Sequence, residues 1–197
     1  MNIKEKRVYS LLKESGAFLR GHFLLSSGKH SDGYVQCAKL IMHPERCEEV
    51  AKIIKEKLEE NKIKVDKVVG PAMGGVIISY EVGRALKVPA IFTERVDGEM
   101  KLRRGFEVKK GENVIVVEDV VTTGKSSLET IKVLENQGAN VMAIASIVDR
   151  TNKDTKLSYP LYSAIKLDVN TYDNDNCDIC KENKIPLVKP GSRKKFD

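Results

Sequence analysis

The chain has 197 residues, 41% of them hydrophobic and 31% charged, with a formal net charge of +6 and a pI near 9.0. That composition suits a globular protein with an ample core, and no apolar stretch approaches the roughly 20 residues a membrane span needs. The basic balance permits an anionic ligand or a nucleic acid without choosing between them.

In chain order, residues 3–14 place Ile3, Val8, Leu11 and Leu12 at helical spacing, with Gly16 as a stop. The start of the chain leads into this amphipathic pattern, not into a signal-peptide core, so a cytoplasmic location with no membrane partner is expected. Residues 18–36 are rich in Ser, Gly and aromatics and read as strand, turn and strand, or a hood-like loop. Pro44 suits a first helical position. Cys47, Val50, Ile54 and Leu58 mark one face of a helix reaching about residue 60. Apolar strands at 65–69 and 90–93 enclose the tight loop 70–75 and a helix over 76–86. Residues 94–110 break the alternation. They are charged, Gly-punctuated and longer than a minimal connection, which reads as a lid.

The run 114–117 is wholly apolar and suits a strand buried on both faces. Glu118 and Asp119 follow, where such a strand leaves the core. Then come Val120, Val121, Thr122, Thr123, Gly124, Lys125 and Ser126. A helix over 126–137 is expected to open on the capping-box pattern Ser126-x-x-Glu129. Strands at 141–148 and 160–169 follow, and residues 170–197 read as a polar, irregular tail containing Cys177 and Cys180. The alternation predicts a single α/β domain with a mostly parallel central sheet flanked by helices and a small hood formed by about residues 1–40.

Cys177-x-x-Cys180 has the spacing of half a zinc site or of a redox pair. A second Cys or His pair at matching spacing is missing from the sequence, so the expectation is an incidental or locally structural pair. Cys47 reads as a small buried hydrophobe.

Gly124-Lys125-Ser126 matches the end of a nucleotide P-loop, but that pattern needs glycine at position 119, where this chain has Asp119. An acid there would face phosphate oxygens. A sugar phosphate is the better fit: carboxylates for a diol, and a helix start rich in N–H and hydroxyl donors for a phosphate. A plain buried strand and helix cap would account for the valines and Ser126, but not for adjacent acids at a core edge.

The 114–126 stretch closely resembles the phosphoribosyl-pyrophosphate (PRPP) loop of type I phosphoribosyltransferases. Residues 23–31 are similar to the hood of orotate phosphoribosyltransferases, 70–75 to their pyrophosphate-side loop, and 94–106 to their catalytic loop. Asp149-Arg150 resembles their strand-end arginine. The likeness implies the type I phosphoribosyltransferase fold and transfer of the phosphoribosyl group from PRPP to orotate in de novo pyrimidine synthesis. It assigns catalysis to Arg95, Lys101, Arg103, Arg104 and Asp119, and PRPP binding to Glu118, Asp119, Val120, Val121, Thr122, Thr123, Gly124, Lys125 and Ser126. Orotate would be held by Thr122, Arg150, Ser26 and Lys29. Mg²⁺ would arrive mainly through PRPP, with no direct protein ligands. The family also implies a homodimer whose loop 94–105 reaches the neighbouring site.

This chain departs from the better-known bacterial enzymes, which carry Lys where it has Ser26 and Gly74 and end their loop in a Lys/His pattern. Two other functions compete: a purine-base phosphoribosyltransferase, and a PRPP-sensing regulator that binds nucleic acid. The absence of a concentrated basic face argues against a nucleic-acid partner.

Overall fold

The computed structural model describes residues 1–25 and 27–190. The elements are α1 (Ile3–Glu14), β1 (Phe18–Leu24), β2 (His30–Val35), α2 (Ala38–Ile41), α3 (Pro44–Glu60), β3 (Lys67–Pro71), α4 (Gly74–Leu86), β4 (Ala90–Val96) and β5 (Glu99–Leu102). They continue with β6 (Asn113–Val121), α5 (Lys125–Asn136), β7 (Asn140–Asp149), β8 (Leu161–Lys166), β9 (Thr171–Tyr172), α6 (Asp178–Glu182) and β10 (Leu187–Val188). Among the described residues, no helix is long and apolar enough to cross a membrane.

The main sheet has six strands in the order β5-β4-β3-β6-β7-β8. All pairings are parallel except β4 with β5. Val114, Ile115, Val116 and Val117 are fully buried in central β6, and their side chains alternate between two cores. Ile115 and Val117 join Val50, Ile54 and Leu58 of α3 and Ile78 and Val82 of α4. Val114 and Val116 join Ile131 and Leu134 of α5. Each such side chain contributes about 1.5–3 kcal/mol by leaving water. This two-sided cover is why the strand carries no polar alternation.

Strand order reverses between β3 and β6. The chain builds outward from β3 to β4, then returns to β6 and builds the other way through β7 and β8. The carboxyl ends of β3 and β6 therefore diverge into separate connections, leaving the crevice in which open α/β sheets hold ligands.

A second sheet, β10-β1-β2-β9, joins the N-terminal hairpin to the end of the chain. The segment expected to be an irregular tail instead contributes β9 to one edge, beside β2, and β10 to the other, beside β1. Its apolar residues are too few and too scattered to announce strands; pairing with the hairpin supplies the order.

Several boundaries differ from expectation. Ile3 is 86% exposed, because α1 turns only Val8, Leu11 and Leu12 inward. Within the charged segment, residues 97–98 form a hairpin turn. Asp97 and Gly98 both take positive φ, 53° and 83°, and join β4 to β5, as an Asp-Gly pair does in a type I′ turn. Helix α5 begins at Lys125, with Gly124 as its N-cap at φ 72° and no side-chain cap hydrogen bond. The capping box at Ser126 does not form, because the helix starts one residue earlier and puts Gly124 at the N-cap and Ser126 inside the first turn; Glu129 pairs with Arg95.

Candidate active site

The alternation along β6 also sets the two acids. Glu118 points to the α5 side and accepts a hydrogen bond from the Ser127 hydroxyl. Asp119 lies on the other side, where its Oδ1 accepts from the Val120 N–H at 2.9 Å and its carbonyl faces the Cys37 thiol. A β-carbon on Gly74 would stand 2.6 Å from Asp119 Oδ1, and one on Gly75 would stand 2.7 Å from the Val117 carbonyl. The β3–α4 turn can approach β6 only because side chains are missing there.

Burial is the main influence on both acids. It pushes the Glu118 carboxyl up to about 7, against the Ser127 hydrogen bond, with Asp119 adding a smaller push. It also raises the Asp119 carboxyl above its usual range, against its backbone hydrogen bonds. Carboxylates are held here at a cost that a hydroxyl-bearing ligand can relieve.

Beyond β6, residues 120–126 and Glu118 line a small cavity of about 140 Å³. Gly124 offers α5 no capping side chain, and the first helical N–H, that of Lys125, donates only at 3.4 Å to Thr123 Oγ1, so the helix start keeps donor capacity suited to a phosphate. A larger cavity of about 590 Å³ adjoins it. Thr122, Thr123, Arg150, Asn152, Thr155, Lys156 and Asn170 are among its lining residues.

Arg150 leaves β7 with its N–H donating to the Val121 carbonyl at 2.8 Å. Its side-chain Nε is buried and has no hydrogen-bond partner among the described residues. Burial depresses the guanidinium pKa, partly offset by Asp32. An unpaired buried donor on a cation costs about 1–3 kcal/mol or more. Its position beside a polar cavity marks a place for an anion.

Residues 38–176 match the phosphoribosyl transferase domain family. The orotate phosphoribosyltransferase of Carboxydothermus hydrogenoformans is 49% identical over 187 residues, 95% of this chain and 97% of that one. The chain belongs to the phosphoribosyl transferase family. Among solved structures, the orotate phosphoribosyltransferase of Aeropyrum pernix aligns with a TM-score of 0.67 at 27% identity, over 81% of this chain and 93% of that one. Leishmania donovani UMP synthase aligns with a TM-score of 0.65 at 25% identity, over 82% of this chain and 36% of that one.

Within this family fold, the residues singled out by sequence are distributed unevenly. Glu118 and the 120–126 turn come together around the small cavity, and Thr122 shares the larger one with Arg150. Val121 lines the small cavity as well, although its side chain is buried in the core and its carbonyl accepts from the Arg150 N–H. Lys29 forms an exposed ion pair with Asp173 of the chain end at 2.8 Å and does not line the cavity with Arg150. Ser26 lies outside the described residues.

The four candidate loop cations differ in their engagements. Arg95 is paired with Glu129 and donates to the Gly98 carbonyl at 2.6 Å. Arg104 makes a two-pronged pair with Glu94 at 2.9 and 2.8 Å and lies over the Phe92 ring. Lys101 pairs with Glu99 at 3.3 Å on the exposed hairpin. Arg103 is exposed and makes no ion pair or side-chain hydrogen bond among the described residues.

Sequence reasoning missed Asn152, Thr155, Lys156 and Asn170. The polar stretch 150–160 was itself a signal. It is a long, donor-rich connection at the carboxyl end of a central strand, where α/β sheets place ligands.

Proposed function

We propose that this chain is an orotate phosphoribosyltransferase, joining the phosphoribosyl group of PRPP to orotate and releasing pyrophosphate. One observation carries the choice of base. Arg150, whose Nε is buried and without a partner among the described residues, lines a polar cavity that shares Thr122 and Thr123 with the phosphate-type turn. A planar base bearing a carboxylate supplies the missing acceptor through the guanidinium fork, and a neutral purine does not. The regulator reading is not favoured by the close relative's name.

In this reading the helix start at Gly124 holds the 5′-phosphate, and the two acids hold the ribose hydroxyls from either side of the β6 edge. The β3–α4 turn at Gly74, at the carboxyl end of β3 and against Asp119, is where pyrophosphate would be held. A ring N–H nitrogen of orotate forms the new bond to the anomeric carbon as the carbon–oxygen bond to pyrophosphate breaks; the bonding pair leaves on the phosphate oxygen, and the nitrogen's proton passes to the departing pyrophosphate or to solvent. Positive charge develops on the sugar in the transition state. Asp119 and Glu118 compensate it at close range, while loop cations offset the charge on the departing group. The hairpin 94–105 supplies those cations, Arg103 being the one without a partner among the described residues.

The donor set fits a divalent ion carried by substrate. Among the described residues, Glu118 and Asp119 are not part of a cluster of three or more ligating side chains. Their positions suit hydroxyls of a PRPP–Mg²⁺ complex, in which the ion neutralises pyrophosphate oxygens.

We also propose a homodimer. Met73, Ile77 and Tyr80 are 88%, 55% and 62% exposed and stand at helical spacing at the start of α4, beside the site. Such an apolar stripe fits a second copy.

The deciding experiment is a steady-state assay of the whole protein with PRPP and a panel of orotate, uracil, adenine, hypoxanthine and xanthine. Pyrophosphate release with orotate alone is expected. Turnover confined to a purine would overturn the assignment of the base.

A further inference from the structure

His22 and His30 sit side by side on the hairpin, buried to 3% exposure each, and neither lines the two cavities described around Glu118 and Arg150. A bulge between Arg20 and Phe23 shifts the β1–β2 register, so that His22 shares a face with His30. The end of the chain brings two thiols to the same place. Cys177 flanks the start of α6, and Cys180 lies within it.

The contacts among these four side chains are crowded around one atom. His22 Nε2 is 3.0 Å from His30 Nδ1, 3.5 Å from Cys177 Sγ and 3.6 Å from Cys180 Sγ, and Cys180 Sγ is 3.2 Å from His30 Nδ1. His22 Nδ1 lies 3.2 Å from the Ile185 carbonyl. A carbonyl only accepts, so Nδ1 carries the proton and Nε2 presents a single lone pair. Three neighbours cannot all donate to it.

One cation at the centre satisfies all four atoms at once. We propose that His22, His30, Cys177 and Cys180 form a structural zinc site. Their ligand atoms all lie within 4.8 Å of one another. Zn–S bonds of about 2.3 Å and Zn–N bonds of about 2.0–2.1 Å on a tetrahedron separate ligand atoms by roughly 3.3–3.8 Å. The observed 3.0–3.6 Å is close to that spacing. A Cys₂His₂ set without an open position is the structural type, and its softness favours zinc over magnesium or calcium. The Ile185 carbonyl supplies the outer hydrogen bond that fixes a ligand histidine.

Binding releases the two thiol protons to solvent and leaves two thiolates and two neutral imidazoles around the ion, with no change of oxidation state. The site joins β1, β2 and α6. It thus clamps the chain end, between its edge strands β9 and β10, onto the hairpin whose turn begins at Leu25.

The test uses the whole chain, purified without chelator and without a metal-affinity step. Elemental analysis is expected to find zinc at about one per chain. Replacement by Co²⁺ is expected to give the visible bands of a tetrahedral site and a thiolate charge-transfer band. Cys177→Ser and His30→Ala should each lose the metal, while Cys47→Ala should keep it. If those variants fold poorly, the wild type decides. Protein stripped by chelator should melt at a lower temperature and recover on addition of Zn²⁺ alone. Protein that contains no zinc and whose melting does not respond to Zn²⁺ would overturn the proposal. So would a Cys177–Cys180 disulfide in freshly isolated protein, or full zinc retention in Cys177→Ser.

Discussion

Gly74 and Asp119 touch across the crevice between β3 and β6, with room for no more than a hydrogen at Gly74: an added β-carbon would stand 2.6 Å from one carboxylate oxygen and 2.8 Å from the other. The contact fixes the distance between the β3–α4 turn and the acid edge of β6. Gly74→Ala must move one of them. Displacing a reacting group by about 1 Å costs on the order of 100-fold in rate, and overpacking costs about 1–3 kcal/mol of stability. Steady-state kinetics with PRPP varied, beside denaturant unfolding, should show both losses. Wild-type kcat/KM for PRPP in a folded Gly74→Ala protein would remove this contact from the mechanism.

Glu118 ties stability to pH. Burial pushes its carboxyl up to about 7 in the folded protein, well above the ordinary carboxylate range. Below the unfolded value both states are protonated and no penalty arises. As pH rises from there to about 7, the unfolded state ionises first, the folded state holds more protons, and stability falls. The full penalty, on the order of 3 kcal/mol, is present above the folded pKa. Glu118→Gln should therefore gain melting temperature over wild type at about pH 8 and show a smaller gain at about pH 5, while using PRPP less well. A melting difference that does not change with pH would contradict this account.

The parts of this reading that sequence made legible are those set by local pattern. The valines of 114–117 announced a two-sided core strand, and helix α3 followed from Pro44 and the spacing of Cys47, Val50, Ile54 and Leu58. What failed depended on distant partners. Ser126-x-x-Glu129 looked like a capping box, but the helix starts at Lys125 with Gly124 as its N-cap, and Glu129 pairs with distant Arg95. The charges of 94–104 obscured the Asp97-Gly98 hairpin. The His22–Cys177 cluster was invisible because its histidines come from the hairpin, one of them beside a bulge, and its cysteines from the far end of the chain. The unpartnered Nε of Arg150 is likewise a property of packing, with no trace in residue order.

Among the loop cations, Arg103 stands apart. Arg95 and Arg104 hold the hairpin through Glu129 and Glu94, and Arg104 in turn keeps the Glu94 carboxyl below its usual range. Arg103 makes no such engagement among the described residues. Arg103→Ala should lower kcat at least tenfold while changing stability by no more than about 0.5 kcal/mol, as exposed substitutions do. Rapid-mixing and steady-state measurements, with a thermal melt as control, separate the two effects. Unchanged kcat would transfer the cationic role to Lys101, whose partner among the described residues is exposed Glu99.

Arg150 gives opposite predictions for stability and for binding. Without ligand its Nε is a buried donor lacking a partner, and burial already depresses its pKa. Replacing an unsatisfied buried charge by an apolar side chain of similar length is often neutral or stabilising. Arg150→Met should therefore melt at or above the wild-type temperature when free. With orotate the balance reverses, because the carboxylate loses its charged partner; a hydrogen bond to a charged group contributes about 1.5–3 kcal/mol, so orotate KM should rise roughly 10- to 150-fold. The phosphate turn at Gly124 is untouched, so PRPP affinity should stay near wild type. Calorimetric titration with each substrate and a melt without substrate give the three numbers. A variant that loses PRPP and orotate affinity together, or that is strongly destabilised when free, would show Arg150 to be a structural support and not the orotate anchor.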